Sequence, residues 1–173
     1  MSTFSLRALN DPNPAEIQLY KELRLQCGWD DDLVDHWFEQ ASKHIRVNLL
    51  CELQDPNQME SQVVGMIALV LQDDDDVQMA DVSTKTAMIK SLFIKPEYQG
   101  RGYGKESIRL LEDFAVKQYG IETMTLETSA SSKKNMAFYI KLGYAEFRER
   151  SPPLPWSKLG AAYMSKKLIP PTE

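Results

Sequence analysis

A strand that runs into three alternating glycines and then a helix is the feature that most constrains how this chain folds. Residues 86–94 have the apolar character of a strand, and the turn Gly100-Arg101-Gly102-Tyr103-Gly104 precedes a helix predicted from about Lys105 to Tyr119. Glycine permits the backbone dihedrals that such a turn requires. Backbone N–H groups at the start of the helix would then face an anion. The pattern alone also fits a purely structural turn or another kind of nucleotide site, although it lacks the Gly-Lys-Ser/Thr ending of a P-loop.

The whole chain, residues 1–173, is predicted to form one α/β (α+β) domain, because its length suits a single core and no repeat or linker divides it. The predicted elements follow the order strand, two helices, three strands, helix, strand, helix, two strands. This order indicates a mixed, mostly antiparallel central sheet of about seven strands flanked by about four helices. The two closing strands are predicted at residues 144–148 and 161–168, joined by a proline-rich loop over residues 151–156.

The first helix is predicted to begin with Asn13 as a cap and Pro14 at its first position, and to stop near Gly28. The apolar residues of the second helix include Trp37. The strand that follows is predicted over Val47 to Leu53.

Composition argues against several classes of function. The formal net charge of −5 disfavours general nucleic-acid binding, which rewards a basic surface. No signal peptide and no apolar stretch long enough to span a bilayer is expected. Cys27 and Cys51 are isolated, so neither a disulfide framework nor a metal site is predicted. The expected location is the cytoplasm, with the nucleus left open, and the expected state is a monomer or homodimer.

Two motifs together resemble the GNAT family of N-acetyltransferases. Gln99 to Gly104 satisfies the family signature, which is Gln or Arg, two residues of any kind, Gly, any residue, then Gly or Ala. The preceding Leu92-Phe93-Ile94-Lys95-Pro96 is similar to the family's fourth strand with its trailing proline. About thirty residues further on, Ala137-Phe138-Tyr139-Ile140-Lys141-Leu142-Gly143-Tyr144 resembles the second signature. The match at the level of motifs covers residues 86–144.

The resemblance implies a cosubstrate, acetyl-CoA, and the residues that would bind it. In the family the sheet splays between the fourth and fifth strands and admits the pantetheine arm. Backbone groups of Leu92, Phe93 and Ile94 would bind that arm and polarise the thioester carbonyl. The pyrophosphate would lie against Gly100, Arg101, Gly102, Tyr103, Gly104 and Lys105. Of these, the two basic side chains could equally be a solvated face.

Two side chains are implied as catalytic. Tyr139 would protonate the departing thiolate, although an aromatic residue on the buried face of a helix could be core alone. Glu127, twelve residues before it, stands where one branch of the family has its general base, and a solvent-facing carboxylate is the alternative. The sequence departs from the family at two positions. Ser132 stands where many members have a cofactor-binding asparagine; it is expected to bind the cofactor with its shorter side chain, and it can also cap the helix. Lys90 stands where another branch has its glutamate base, and it cannot serve as a carboxylate base.

The acceptor would be a primary amine of a small molecule or peptide, attacking the thioester directly in a ternary complex. The family's acceptor groove implies the neighbourhoods of Trp29, of Asp30, Asp31 and Asp32, and of Trp156 in the proline-rich loop. Carboxylates and tryptophan suit a cationic amine, but an acidic first turn is also favourable helix chemistry. A protein N-terminus or lysine is an alternative acceptor. A catalytically weak acetyl-CoA-binding module, or an adaptor using Pro152-Pro153-Leu154-Pro155, remains an alternative function.

Overall fold

A computed structural model describes residues 2–153 and 160–168 of the chain. The strands are β1 (Thr3–Ala8), β2 (Arg46–Gln54), β3 (Gln62–Val70), β4 (Thr86–Ile94), β5 (Thr123–Ser129), β6 (Ala145–Glu146) and β7 (Ala161–Lys167). They form one seven-stranded sheet in the order β1-β2-β3-β4-β5-β7-β6. β4 and β5 run parallel and the other neighbouring pairs are antiparallel. The predicted mixed sheet is therefore confirmed.

Four helices, α1 (Pro14–Cys27), α2 (Val34–Ser42), α3 (Tyr103–Tyr119) and α4 (Lys133–Lys141), flank this sheet. Helix α1 begins as the sequence predicts. The Asn13 side chain accepts a hydrogen bond from the Glu16 N–H, the Glu16 side chain accepts one from the Asn13 N–H, and Pro14 follows the cap. Gly28, with φ of 97°, ends the helix in the left-handed conformation. No helix among the described residues has the length and apolar content that crossing a bilayer requires.

The helices cover the two faces of the sheet in pairs. Alternation along each strand sends Leu49 and Cys51 of β2 into a core beneath α3 and α4, while Leu50 joins Tyr20 and Trp37 beneath α1 and α2. On β5, Leu126 belongs to the α3/α4 side. Glu127 therefore lies on the α1/α2 side. This division places the functional side chains discussed below on opposite faces of one sheet.

Two boundary predictions were wrong. The closing strand predicted over residues 144–148 is only Ala145–Glu146. Tyr144 is instead a buried anchor whose hydroxyl donates to Glu112 at 2.7 Å, and Arg148 leaves the sheet edge to bind Asp76 at 2.8 Å. Helix α3 begins at Tyr103 rather than Lys105, because Gly102, with φ of 86°, makes the turn that starts it.

Candidate active site

A gap between β4 and β5 forms the centre of the site. The two strands pair only from Thr86 with Thr123 to Ile89 with Leu126. In β4 the register against β3 then shifts, and Ser91 takes the left-handed conformation with φ of 57°, which is rare for a residue other than glycine. Beyond Ile89 no residue of β4 pairs with β5 in the described part of the chain; Lys90, Phe93 and Ile94 pair with β3 alone, and residues 91–92 form the bulge. This opening is the splay that the resemblance predicts, and it begins at the bulge.

The end of β4 is held tightly against β3. A Cβ added to Gly65 would lie 2.2 Å from the Phe93 carbonyl oxygen, so only glycine allows the two backbones to approach this closely. The Lys95 N–H donates to the Val64 carbonyl at 2.9 Å, and the Gln99 side chain donates to the Ile94 carbonyl at 2.8 Å. The backbone of residues 92–94 is therefore fixed at the edge of the gap.

The glycine turn presents unpaired N–H groups beside this edge. Gly100 and Gly102 have φ of 74° and 86°, and no side chain caps helix α3. None of the backbone N–H groups of residues 100 to 105 donates a hydrogen bond to another described residue. Arg101 and Lys105 are exposed nearby. Consecutive free N–H groups at a helix start, with added positive charge, suit an anion such as a pyrophosphate.

Tyr139 lies on α4 at the α3/α4 side of the sheet. Its ring contacts Phe138 and Tyr144 with centroid separations of 5.1 and 6.2 Å. Burial raises the pKa of the Tyr139 hydroxyl, which therefore stays protonated at neutral pH. The helix that carries Tyr139 is capped by Ser132, whose Oγ accepts from the Asn135 N–H at 3.2 Å. The serine that departs from the family pattern thus caps the helix.

Glu127 lies across the sheet from Tyr139. Its side chain is 43% exposed, and its Oε2 lies 3.9 Å from the Lys90 Nζ. The two strands on which these residues lie are the pair that separates at the gap. A general base on the α1/α2 face and a general acid on the α3/α4 face could therefore act from opposite faces of the sheet on a thioester held in the gap. Both roles stay predictions.

The predicted acceptor residues that the structure describes lie at the exposed turn between α1 and α2. Trp29 is 62% exposed at the junction of α1 and α2. The three aspartates beside it are also exposed, and Asp30 Oδ2 lies 3.4 Å from Arg24 Nη2. Trp156 lies outside the described residues. Recognition of the amine by these groups stays a prediction.

Sequence analysis missed a buried arginine close to the gap. Arg46, only 5% exposed, donates to Asn48 Oδ1 at 2.7 Å and to Ser91 Oγ at 2.8 Å. The predicted strand began at Val47 and left Arg46 out. An arginine next to a predicted strand does not by itself indicate a buried site. Arg46 is buried because Trp37 of α2 packs against its guanidinium. Ser91 was missed for a similar reason, since no local signal predicts a left-handed serine within a strand.

Comparison with known proteins identifies both a family and a fold. A family model described as the acetyltransferase (GNAT) family matches residues 15–144. The ribosomal-protein-S18-alanine N-acetyltransferase from Escherichia coli is similar in structure, with a TM-score of 0.68 and 18% identity over 100% of this chain and 97% of that one. Spermidine N-acetyltransferase from Vibrio cholerae, solved with CoA and spermine, has a TM-score of 0.70 and 15% identity over 95% of each chain. The same Vibrio enzyme also has a dodecameric structure, with a TM-score of 0.71 and 14% identity over 95% of this chain and 93% of that one.

Proposed function

This chain belongs to the GNAT family of N-acetyltransferases, and we propose that it transfers the acetyl group of acetyl-CoA to a primary amine by direct attack in a ternary complex. One observation carries the proposal: the row of unpaired N–H groups at residues 100–105 borders the gap that opens between β4 and β5. The row suits the pyrophosphate of CoA, and the gap suits its pantetheine arm. No other described part of the chain combines a free helix start with an opened sheet.

The chemistry assigns a task to each part. The free amine must be unprotonated to attack, since the pKa of an alkylamine such as that of lysine is about 10.4. In the proposal Glu127 takes its proton, directly or through water, and Tyr139 returns a proton to the departing thiolate. Backbone groups of residues 92–94 polarise the thioester carbonyl as negative charge develops on its oxygen. The held backbone and the protonated tyrosine support these roles.

The oligomeric state is a separate part of the proposal. The sequence predicts a monomer or homodimer, whereas the Vibrio cholerae spermidine N-acetyltransferase has a dodecameric structure. Sedimentation of the purified full chain, with and without CoA, measures the state directly.

The proposal is tested by calorimetry with CoA and by free-thiol release with a panel of primary amines. Gly102→Asp places a carboxylate at the turn, and Gly102→Asn is its matched neutral control, because both residues tolerate the left-handed conformation. A carboxylate about 5 Å from one phosphate charge costs about 1–3 kcal/mol at effective dielectric constants between those of water and a protein surface. We therefore expect CoA to bind Gly102→Asp roughly 5- to 150-fold more weakly than Gly102→Asn.

The outcomes separate the proposed enzyme from the two alternatives. Thiol release with at least one amine, together with the difference between the Asp and Asn variants, supports the transferase. CoA binding without turnover of any amine would leave a binding module. If the folded wild-type chain does not bind CoA, the assignment of residues 100–105 is wrong, and the adaptor function is the favoured alternative.

A further inference from the structure

The guanidinium of Arg46 lies buried on the α1/α2 face, next to the bulge where β4 leaves β5. It stacks on Trp37, with its Cζ 4.3 Å from the ring centroid. Through its 2.8 Å bond to Ser91 it contacts the residue that starts the bulge, one position before Leu92. A cation is thus fixed beside the backbone segment that is proposed to bind the thioester.

The charge of Arg46 is not balanced by the protein. No carboxylate of the described residues lies within ion-pair distance of its guanidinium. The nearest charged group on the same ring is another cation, since Arg24 also stacks on Trp37 at 5.1 Å. Burial lowers the pKa of Arg46, the neighbouring Tyr20 hydroxyl partly opposes this shift, and Arg24 adds slightly to it. A buried charge bonded only to neutral groups is costly, and an incoming anion would relieve that cost.

Arg46 also has donors left over. A guanidinium has five N–H bonds, and the two hydrogen bonds to Asn48 and Ser91 use one on Nε and one on Nη2. The two N–H groups on Nη1 and the second on Nη2 form no hydrogen bond with another described residue. The buried Tyr20 hydroxyl lies beside the guanidinium and is itself without a hydrogen-bond partner among the described residues. Adjacent N–H groups of a guanidinium bind a carboxylate through both of its oxygens.

An open cleft reaches this guanidinium. It lies between α2 and the segment that follows β3, has a volume of about 310 Å³, and is lined by Arg46, Lys90, Trp37, Gln40 and the three aspartates 73–75. Arg46 and Lys90 both lie on the sheet, so the floor of the cleft is cationic. The carboxylates lie on the loop at its rim. The volume is at the lower end of small-ligand sites.

We propose that the acceptor is a free amino acid or a closely similar amino-carboxylate, and that Arg46 binds its carboxylate; this inference rests on the proposed acetyl transfer. Because Arg46 contacts Ser91 at the bulge where the gap begins, a carboxylate held at Arg46 would bring its α-amine to that edge of the gap. The amine nitrogen then bonds to the acetyl carbonyl carbon, the C–S bond of the thioester breaks, the amine loses one proton, and the thiolate gains one.

The same geometry disfavours the acceptors of the two similar enzymes. A polyamine carries no anion for Arg46, and although the carboxylates of residues 73–75 at the rim would attract it, it would meet Arg46 and Lys90 on the sheet. A protein N-terminus has a neutral peptide carbonyl where an amino acid has its carboxylate, so three charged N–H donors would lose their ionic partner. A buried donor that is left without a partner keeps its full desolvation cost, so both acceptors should bind less favourably than an amino acid does.

The experiment compares matched acceptors that differ only at the carboxylate. Each L-amino acid is assayed by free-thiol release with saturating acetyl-CoA, beside its carboxamide and its decarboxylated amine, with spermidine and an alanine-initiated peptide included. For the best amino acid we expect kcat/KM at least 10-fold above that of its carboxamide. Arg46→Met should lower kcat/KM for that amino acid at least 30-fold, mainly by raising KM. The same variant should change kcat/KM for the carboxamide less than threefold. Arg46→Lys, which keeps the charge, should recover part of the loss.

Arg24→Met is the matched control, because Arg24 is a second buried arginine on the same ring. Its Nε donates to the Trp29 carbonyl, at the end of its own helix, and it does not line the cleft. We expect Arg24→Met to keep the preference for carboxylates. If Arg46→Met fails to fold, the wild-type comparison and Arg46→Lys still decide.

A second measurement does not depend on turnover. Calorimetry with the wild-type chain should show N-acetyl amino acids binding at least 10-fold more tightly than the N-acetyl amines without a carboxylate. Turnover of amines with no preference for the carboxylate, or with spermidine or the peptide preferred, overturns this inference and leaves the transferase intact. Failure to bind CoA, in contrast, overturns the proposed function itself.

Discussion

Replacing Tyr139 with Phe, alongside the same replacement at Tyr144, separates chemistry from packing. The two rings are neighbours, with centroids 6.2 Å apart, and both substitutions remove only a hydroxyl. Among residues 2–153 and 160–168 the Tyr139 hydroxyl has no side-chain hydrogen-bond partner, and burial raises its pKa. The Tyr144 hydroxyl donates to the Glu112 carboxylate, which also accepts from Lys166 at 2.8 Å. One hydroxyl is therefore free for chemistry, and the other is bound within the fold.

The two variants are expected to change different quantities: Tyr139→Phe the turnover rate, and Tyr144→Phe the melting temperature. Tyr139→Phe should lower kcat about 10²–10⁴-fold, the usual effect of removing a general acid, and leave the melting temperature nearly unchanged. Tyr144→Phe loses a hydrogen bond to a charged group, worth about 1.5–3 kcal/mol. For a chain of this size that corresponds to a fall of roughly 3–12 °C in melting temperature. Its kcat at a temperature where it is folded should stay close to that of the wild type.

The assay is steady-state thiol release across pH, with calorimetric melting of the same samples. Because burial raises the pKa of Tyr139 above its ordinary value of about 10, the proton that it donates is present below that pH. No loss of rate below about pH 10 should therefore come from Tyr139. If Tyr139→Phe turns over within twofold of wild type, its ring is only part of the core and the acid role is wrong.

Three further variants test other parts of the site. Glu127→Gln should lower kcat and remove the acidic limb of the pH–rate profile; retention of both would mean that solvent or substrate takes the proton. Neutralising Asp30, Asp31 and Asp32 together should raise KM for the best amine and leave that for acetyl-CoA unchanged, and an unaltered amine KM would refute the predicted contact. Gly65→Ala forces a Cβ to within 2.2 Å of the Phe93 carbonyl, so it should cost about 1–3 kcal/mol of stability and raise KM for acetyl-CoA. A variant as stable as the wild type, with the same KM, would show that β3 can move aside.

The parts of the fold that local rules decide could be predicted from the sequence. The cap at Asn13, the end of α1 at Gly28 and the left-handed glycines of the turn each follow from the backbone preferences of the residues present. The ends of β4, Thr86 and Ile94, were also predicted correctly, because an apolar run stops shortly before Pro96. At the caps, the turn and these strand ends, neighbouring residues determine the conformation.

The parts that depend on distant contacts could not be predicted. Ser91 has no local preference for φ of 57°, and it is held there by a hydrogen bond from Arg46, which is 45 residues away in sequence. The burial of Arg46 depends in turn on Trp37, which a helical pattern assigned to the core. The short β6 differs from its prediction because Tyr144 and Arg148 bind Glu112 and Asp76, both remote in sequence. The positive charge in the cleft could therefore not be predicted from the sequence, because it depends on how α2, β2 and β4 pack together.

The bulge at Ser91 links the proposed cofactor chemistry to the proposed acceptor. A strand that kept its pairing would leave no path through the sheet between the face that carries Tyr139 and the face that carries Glu127. The left-handed residue turns β4 away from β5, and the arginine that stabilises this turn is the same arginine whose remaining donors face the cleft. Removing Arg46 should therefore weaken the hold on an anionic acceptor at least 30-fold, while the loosening of the gap edge that it also causes should cost less than threefold. The comparison of an amino acid with its carboxamide distinguishes these effects, because only the first depends on the acceptor's charge.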